Sequence, residues 1–300
     1  MIIVSLLLVL LALLGAPLFT VIAASAMWGF SNTDVDLSVM GIEIFGLAEV
    51  PILLAIPLFT FAGYLISESG APRRLVRISN ALLGWLPGGL AMISLAACAL
   101  FTAFTGASGV TIIALGALLY PALKEAGYKE SFNLGLVTSA GSLGLLFAPS
   151  LPLILYGVVA EVSIDSLFLG GILPGTLMVV MLAAYSFWVN RHNRAEPGKF
   201  SWKEVRDSLW EAKWEVPLPI VVLGGIYGGV FAVSEAAAVT ALYVLIIDVL
   251  IMREVSLKQL PRIMQESMVL VGGILIILAV SLASTNYMID SGVPDKLFAM

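Results

Sequence analysis

Residues 88–152 read GGLAMISLAACALFTAFTGASGVTIIALGALLYPALKEAGYKESFNLGLVTSAGSLGLLFAPSLP, and this stretch decides the fold. A small polar tip at 105–109 separates two apolar arms. The apolar helix that follows is predicted to break at 141–144 and again at 148–152. In hydrocarbon an unpaired backbone group costs several kcal/mol, so such breaks persist only where protein or a wet cavity surrounds them. Two facing breaks rich in Ser, Thr and Gly therefore predict an ion and substrate site near the middle of a membrane.

The composition indicates an all-α polytopic membrane protein. Of 300 residues, 60% are hydrophobic and 12% are charged, with a mean hydropathy of +1.05, whereas a soluble domain carries roughly 25% charged residues. The first apolar run lacks the basic start of a signal peptide, and further apolar runs follow it. A single Cys and a single His argue against a zinc site, a disulfide framework and Cys/His catalysis. No basic cluster predicts nucleic-acid binding, and no cofactor is expected.

Basic residues flank both ends of the hairpin candidate: Arg73, Arg74, Arg77, Lys124 and Lys129. The arginines are interpreted as topology determinants, and the positive-inside rule places both flanks in the cytoplasm and the N-terminus outside. Each arm has about 15 residues, roughly 22 Å against the ~30 Å of a bilayer core, which predicts a re-entrant hairpin. Asp248, near the cytoplasmic end of an apolar run, and His192, in a basic loop, are expected to be solvated.

An internal repeat predicts two halves, because ISESGAPRRL at 66–75 recurs as MIDSGVPDKL at 288–297 after an apolar helix in each case. The alternative is that Ser-Gly-x-Pro is a common helix ending. The second half, 213–300, is expected to be inverted and to lack its own hairpin, with about 110 residues missing. The first half, 1–212, is expected to contain three membrane helices, an amphipathic arm, the hairpin at about 88–123, a broken helix at about 132–160, a helix at 167–190 and a cytoplasmic connector at 191–212.

Candidate binding residues lie at the hairpin tip and at the breaks of the next helix: Thr105, Gly106, Ser108, Gly109, Gly141, Ser142, Gly144, Pro149 and Ser150. Because a hard cation prefers oxygen ligands, the predicted sodium ligands are Thr105, Ser108, Ser142 and Gly144. The alternative is that these small residues only form a tight turn and allow close helix packing. A helix that starts after Pro149 would direct its free N–H groups at a substrate carboxylate.

Five segments resemble the large membrane subunit of the tripartite ATP-independent periplasmic (TRAP) transporters: 58–63, 86–91, 106–121, 144–156 and 229–239. The resemblance implies an elevator-type inverted-repeat transporter in a bacterial or archaeal inner membrane. It also implies sodium-coupled import of an organic acid, such as a dicarboxylate, delivered by a periplasmic substrate-binding protein, and a small membrane subunit as partner. Ala148 stands where many members have a first proline of Pro-Pro-Ser, and Thr111 where many have an acid.

Two other classes of protein are consistent with these features. One is a sodium/anion symporter of similar elevator architecture that needs no receptor. The other is a channel, since re-entrant hairpins also form selectivity filters. A membrane-embedded enzyme would need a nucleophile and a base on facing helices, which the near absence of His, Cys and intramembrane acids disfavours.

Overall fold

The structure is a computed structural model, which describes residues 2–33, 35–86, 88–191, 200–293 and 296. Over these residues it consists of helices and turns without a β-strand, so the expected all-α class is confirmed. The chain divides into two compact units, one made of Met1–Leu53 with Val269–Met300 and the other of Leu54–Met268. His192 and part of the second repeat copy lie outside the described residues.

The first unit is built from helices α1 (Ile2–Leu13), α2 (Leu18–Asn32), α3 (Ser38–Ala48) and the C-terminal part of α14 (Leu260–Asp290). Pro17 precedes α2, where its missing N–H has no helical partner to lose. Phe30 is buried with Ala26 and Ala283, and the Tyr287 ring packs edge-on against it with 5.4 Å between ring centroids. The first apolar run is thus two helices of 12 and 15 residues, about 18 and 22 Å long.

Besides the first part of α14, the second unit contains ten helices in its described part, which include the hairpin and the broken helix. They are α4 (Ala55–Glu68), α5 (Ala71–Leu83), α6 (Gly89–Thr105), α7 (Ser108–Glu125), α8 (Glu130–Leu143), α9 (Leu151–Val159), α10 (Ile164–Asn190), α11 (Trp202–Glu211), α12 (Pro217–Tyr227) and α13 (Val233–Leu245). A 3-10 turn precedes α4, and a second one, Gly144–Leu146, follows α8. A π-helical segment, Ile246–Ile251, extends α13.

Four helical segments of the described chain are long and apolar enough to cross a membrane: Pro51–Glu68, Ile164–Asn190, Val233–Ile251 and Leu260–Asp290. The pair α8 and α9 adds a fifth span if its 48° bend lies inside the bilayer. On α10 large apolar side chains face outwards, with Leu173 80% and Met181 62% exposed, as expected for contact with lipid. The protein is therefore a multi-pass membrane protein.

The hairpin arms α6 and α7 have 17 and 18 residues, slightly more than expected, yet at about 26 and 27 Å they still fall short of a ~30 Å core. Helix α12 has only 11 residues, about 16 Å, and is too short to cross alone. The odd number of crossings between the two repeat copies needs α12 as a crossing. The inverted orientation of the second half therefore stays a prediction.

Arg74 is buried among carboxylates, a role that the sequence did not predict, and its role as a topology determinant stays a prediction. Its guanidinium donates two parallel hydrogen bonds to Glu254, at 2.5 and 2.9 Å, and a third to Glu215 at 2.7 Å. These hydrogen bonds hold the pKa of Glu254 below its usual range. Asp248 is 4% exposed rather than solvated, because the chain folds back after the π-helical segment and the Glu254 N–H donates to the Asp248 carbonyl at 2.9 Å.

A second set of ion pairs fixes the connector between the halves. Arg77, one helical turn after Arg74, donates to Glu204 at 2.8 Å and also to Glu211, both on α11. The Ser201 side chain accepts a hydrogen bond from the Glu204 N–H and caps this helix. The arginines that the sequence assigns to topology thus also attach α11 to α5.

Candidate functional site

The hairpin turns within two residues. Helix α6 ends at Thr105 and α7 begins at Ser108, so only Gly106 and Ala107 lie between them. Gly106 has a φ of 64°, the left-handed region that favours glycine, and its N–H donates to the Thr102 carbonyl at 2.7 Å. Ala107 is extended. The C-terminus of one helix and the N-terminus of the next therefore meet at a single sharp tip.

Three buried threonine hydroxyls cluster beneath this tip. Thr102, Thr105 and Thr111 are each at most 1% exposed. The Thr111 hydroxyl oxygen lies 2.8 Å from that of Thr102 and 3.3 Å from that of Thr105. We call these three residues the threonine cluster. The cluster links the two arms of the hairpin to each other, because Thr102 and Thr105 lie on α6 and Thr111 lies on α7.

Around the threonine cluster there are more hydrogen-bond acceptors than hydroxyl hydrogens to donate to them. The Thr102 hydroxyl lies within hydrogen-bonding distance of Thr111, of the Cys98 carbonyl at 2.8 Å and of the Gly141 carbonyl at 2.9 Å, but has one hydrogen to donate. The Thr111 hydroxyl likewise lies 3.3 Å from the Ala107 carbonyl. Each hydroxyl oxygen has two lone pairs, so oxygen lone pairs remain free at this point. Such a group of neutral oxygens suits a hard monovalent cation.

The break between α8 and α9 packs directly against the hairpin. A methyl group added at Gly106 would lie 3.5 Å from the Pro149 carbonyl oxygen and 3.6 Å from the Leu151 nitrogen. One added at Gly144 would lie 2.6 Å from the Ala99 carbonyl oxygen, a distance that real side chains do not show. Ser150 is fully buried and donates its hydroxyl to the Leu145 carbonyl, which fixes the shape of the break. The hairpin tip and the broken helix, both predicted from the sequence, therefore meet in space.

Two helix N-termini converge on the tip. Helix α7 starts at Ser108, and α9 starts at Leu151, beside Gly106. The first N–H groups of a helix have no partner within it, and the helix dipole adds partial positive charge. The sequence has no Lys or Arg between Arg77 and Lys124 or between Lys129 and Arg191. The positive potential that the hairpin and the broken helix supply at the tip thus comes from backbone, which is the arrangement that binds anions at helix N-termini.

The structure does not bring every predicted ligand to the tip. Ser142 is exposed, and its hydroxyl reaches back to the Thr138 carbonyl of its own helix at 3.4 Å. Gly141 is helical and packs against Ile112, so the first break begins at Gly144 rather than at Gly141. Gly109 is exposed in the first turn of α7. Among the predicted sodium ligands, Thr105 and Ser108 lie at the tip, and Gly144 lies where α6 approaches the break.

Sequence reasoning missed Thr102 and Thr111 as candidate ligands. Thr102 precedes Thr105 by three residues, and Thr111 follows Ser108 by three residues. Residues three apart share one face of a helix, so this spacing was a usable signal. The spacing does not show how the two arms are rotated about their own axes, and this rotation turns the two faces towards each other.

An apolar cavity of about 450 Å³ borders the break. Phe147 and Pro149 line it from the break, Ala103 from α6, and Tyr227 and Thr240 supply hydroxyl groups. The described residues that line it include no charged side chain. Its volume is in the range of small-molecule sites, and its lining suits hydrocarbon better than a carboxylate.

These features define a polytopic membrane protein built around a hairpin and a broken helix whose tips meet. Residues 2–300 match the family described as the tripartite ATP-independent periplasmic transporter, DctM component. The chain belongs to this family, which confirms the resemblance seen in its motifs.

Three relatives illustrate the range within the family. The isethionate TRAP transporter permease protein DctMQ of Oleidesulfovibrio alaskensis is 42% identical over 68% of this chain and 32% of its own length. The ectoine/5-hydroxyectoine large permease protein UehC of Ruegeria pomeroyi is 37% identical over 83% of this chain and 59% of its own length. The C4-dicarboxylate large permease protein DctM of Rhodobacter capsulatus is 30% identical over 97% of this chain and 70% of its own length. The chain therefore spans from about a third to about 70% of these relatives.

Proposed function

We propose that this chain forms part of the large membrane subunit of a TRAP transporter that imports an organic acid together with sodium. The observation that carries this proposal is the meeting of the hairpin tip with the broken helix, which joins a cluster of oxygen ligands to two helix N-termini. Family membership supports the transporter class, and no enzymatic activity is proposed.

Sodium binds at the threonine cluster in this proposal. Thr102 and Thr111 face each other at 2.8 Å, and the Gly141 and Ala107 carbonyls lie within 3.3 Å of their hydroxyl oxygens. Small rotations of the hydroxyl hydrogens away from the centre leave lone pairs for a cation without burying an extra negative charge. Thr105 and Ser108 at the tip complete the oxygen-rich region.

The organic acid binds at the N-termini of α7 and α9. A bound sodium ion next to these N-termini adds positive potential for the carboxylate, so ion and substrate favour each other's binding. Relatives named for isethionate, ectoines and C4-dicarboxylates define the substrates to test first. The hydrocarbon part of a substrate has the cavity beside Pro149 available to it.

The proposal extends to the wider assembly. The transporter works with a small membrane subunit and a periplasmic substrate-binding protein, in an inner membrane with the N-terminus outside. The name DctMQ of the isethionate relative joins M and Q components in one permease protein, which supports the small subunit as partner. The hairpin and broken helix move as one body in an elevator-type transport cycle, because their close contacts at Gly144 leave no room for sliding.

Uptake into proteoliposomes tests the proposal. The chain is reconstituted with its small subunit and its substrate-binding protein, and uptake of each candidate acid is measured with sodium or potassium outside. We expect uptake that requires both sodium and the binding protein, at carrier rates. Equal uptake with potassium outside would contradict sodium coupling. Ion currents far above carrier turnover would favour a channel.

A further inference from the structure

A charged cluster lies apart from the hairpin, where α5, the residues before α12 and the segment after α13 meet. Arg74 and Glu254 form a bidentate pair, and the Gly70 N–H donates to the second Glu254 oxygen at 2.8 Å. Both oxygens of Glu254 therefore have partners, and the lowered pKa of Glu254 keeps it ionised. Arg74 also forms an ion pair with Glu215 at 2.5 Å, so two carboxylates share its single positive charge.

Two carboxylates in this cluster, those of Glu215 and Asp248, are only partly hydrogen-bonded. Glu215 accepts the Arg74 Nε–H through Oε1 at 2.7 Å, but its Oε2 has no hydrogen-bond partner among the described residues. The same holds for Oδ2 of Asp248 within the described part of the chain. Glu215 is 9% exposed and Asp248 4%. With all three carboxylates ionised, the cluster would carry a formal charge of −2, in a place where charge is costly.

Glu215 and Asp248 line one small cavity. Its volume is about 20 Å³, enough for one particle the size of a water molecule. Trp214 and Tyr243 form part of its wall, and the Tyr243 hydroxyl donates to the Trp214 carbonyl at 2.7 Å rather than to either carboxylate. The polar and charged neighbours of Asp248 are Ser69, Arg74, Glu215, Tyr243 and Glu254.

We propose that Glu215 and Asp248 together bind one small monovalent cation, a sodium ion or a proton, in this cavity. One added positive charge halves the excess negative charge, and it gives each free carboxylate oxygen a partner. A multivalent metal site is a poorer match, because among the described residues no group of three or more His, Cys, Asp or Glu side chains is arranged to hold a metal ion.

A cation bound at this site would stabilise the junction of α5, the residues before α12 and the segment after α13, rather than the hairpin. The cluster joins residues near 70, 215 and 250, which are far apart in sequence. A ligand that binds only the folded junction raises the unfolding temperature with its concentration. Because the site does not use the threonine cluster, it does not depend on the proposed sodium site at the hairpin.

Thermal unfolding of the purified chain in detergent tests the inference, with tryptophan fluorescence as the signal because Trp214 lines the cavity. The reference is the Thr111→Val variant, which lacks one hydroxyl of the hairpin site, and Asp248→Asn and Glu215→Gln are each introduced into this variant; Asp248→Asn is also tested alone. Each protein is unfolded in sodium chloride and in choline chloride of equal ionic strength near pH 8, and in choline chloride near pH 5.5.

In Thr111→Val we expect the unfolding temperature to rise by about 5 °C, either with sodium near pH 8 or with acid in choline chloride. The first result identifies sodium and the second a proton. Both Asp248→Asn and Glu215→Gln should lose this rise. Both variants should still fold, since each substitution removes one negative charge from the cluster. Two variants are used so that the test remains possible if one of them does not fold.

Identical responses of Thr111→Val with and without Asp248→Asn, to sodium and to acid, would overturn the inference, because the two proteins then differ only at the proposed site. A sodium response that disappears in Thr111→Val and persists in Asp248→Asn alone, with equal responses to acid, would overturn it too. That second outcome would leave the proposed sodium site at the hairpin intact, so the two proposals fail separately.

Discussion

At the scale of single residues, Thr111 offers the most direct test of the proposed sodium site. Thr111→Val keeps the shape of the side chain but removes a fully buried hydroxyl that lies 2.8 Å from Thr102. Loss of one ligand worth about 1.4 kcal/mol raises the sodium concentration for half-maximal uptake roughly tenfold. The measurement is sodium-dependent uptake in proteoliposomes.

Thr138→Val is the matched control for that substitution. Thr138 is exposed, and its hydroxyl donates to the Leu134 carbonyl of its own helix at 2.8 Å. We expect its sodium dependence to equal that of the wild type. If Thr111→Val also retained the wild-type dependence, the threonine cluster would have only a structural role.

Gly144 tests the close approach of the break to α6. In Gly144→Ala the new methyl group would lie 2.6 Å from the Ala99 carbonyl oxygen and 2.7 Å from the Ala103 nitrogen. Backbone atoms cannot turn aside as side chains do, so we expect a loss of about 1–3 kcal/mol of stability, seen as a lower unfolding temperature in detergent.

Gly135→Ala, on the preceding helix, is the matched control for Gly144→Ala. No described atom outside its own helix lies within 4 Å of the position its methyl group would take. Alanine is the better helix former by about 1 kcal/mol, so this variant should be as stable as the wild type or more so. A similar loss in both variants would contradict the packing described here.

At the scale of helices, a substitution at the N-terminus of α7 can distinguish an effect on protein stability from an effect on substrate binding. Gly109 is exposed in its first turn, with no described atom within 4 Å of an added methyl group. In Gly109→Asp the carboxylate favours the helix dipole by about 0.3–1 kcal/mol, so stability should hold or rise. The same charge repels an anionic substrate, so the substrate concentration for half-maximal uptake should increase several-fold.

Gly109→Asn carries the same shape without the charge and should bind substrate nearly as the wild type does. Uptake kinetics and thermal unfolding of both variants give the two readouts. Equal substrate dependence in Gly109→Asp and Gly109→Asn would place the anion elsewhere than at the start of α7.

The breaks could be predicted from the sequence, whereas the contacts between them could not. Gly106 and Pro149 act on the backbone beside them, so their effect is visible locally. The pairing of Thr102 with Thr111 depends on how α6 and α7 are rotated about their axes. The same holds for Ser142, which shares a helix with Gly141 but faces away from the hairpin. Local patterns thus located the tip, whereas the side chains that surround it depend on how the helices pack.

At the scale of the whole molecule, the Arg74–Glu254 pair gives stability a defined pH dependence. The pKa of Glu254 is lowered from its ordinary value of 4.5, chiefly by hydrogen bonds from Arg74. Its contribution to stability is therefore fully present above the ordinary pKa and is lost as pH falls through the lowered value. Glu254→Gln should unfold at a lower temperature than the wild type near neutral pH.

The difference in unfolding temperature between the wild type and Glu254→Gln isolates this pair from other titrating groups. We expect a constant difference above about pH 6 that shrinks as the pH falls below 4.5. A difference that grew on acidification would contradict the sign derived from the pair.

The membrane topology is a second prediction for the whole molecule. Cys98 is fully buried and is the single cysteine, so Cys98→Ala gives a background for single-cysteine variants. Glu125 follows the hairpin, and Val162, 44% exposed, follows the broken helix. We expect an impermeant thiol reagent to label Glu125→Cys from the cytoplasmic side and Val162→Cys from the opposite side.

Gly109→Cys at the hairpin tip distinguishes a re-entrant hairpin from two full crossings. Labelling from outside with the same reagent is expected for two crossings and not for the hairpin. The length and charge of the arms were readable from sequence and led to this topology. The burial of Arg74 was not, since its partner Glu254 lies 180 residues further along the chain.

That separation has a consequence for biosynthesis. At about 5–20 residues per second, a ribosome needs roughly 10–40 seconds to add the 180 residues from Arg74 to Glu254. During this interval the Arg74 guanidinium has neither of its carboxylate partners, since Glu215 also comes 141 residues later. Helix α5 must therefore wait at the membrane surface in contact with water, and it reaches its buried position only after α13 has been inserted. A helix that emerges later thus completes the docking of one that emerged earlier.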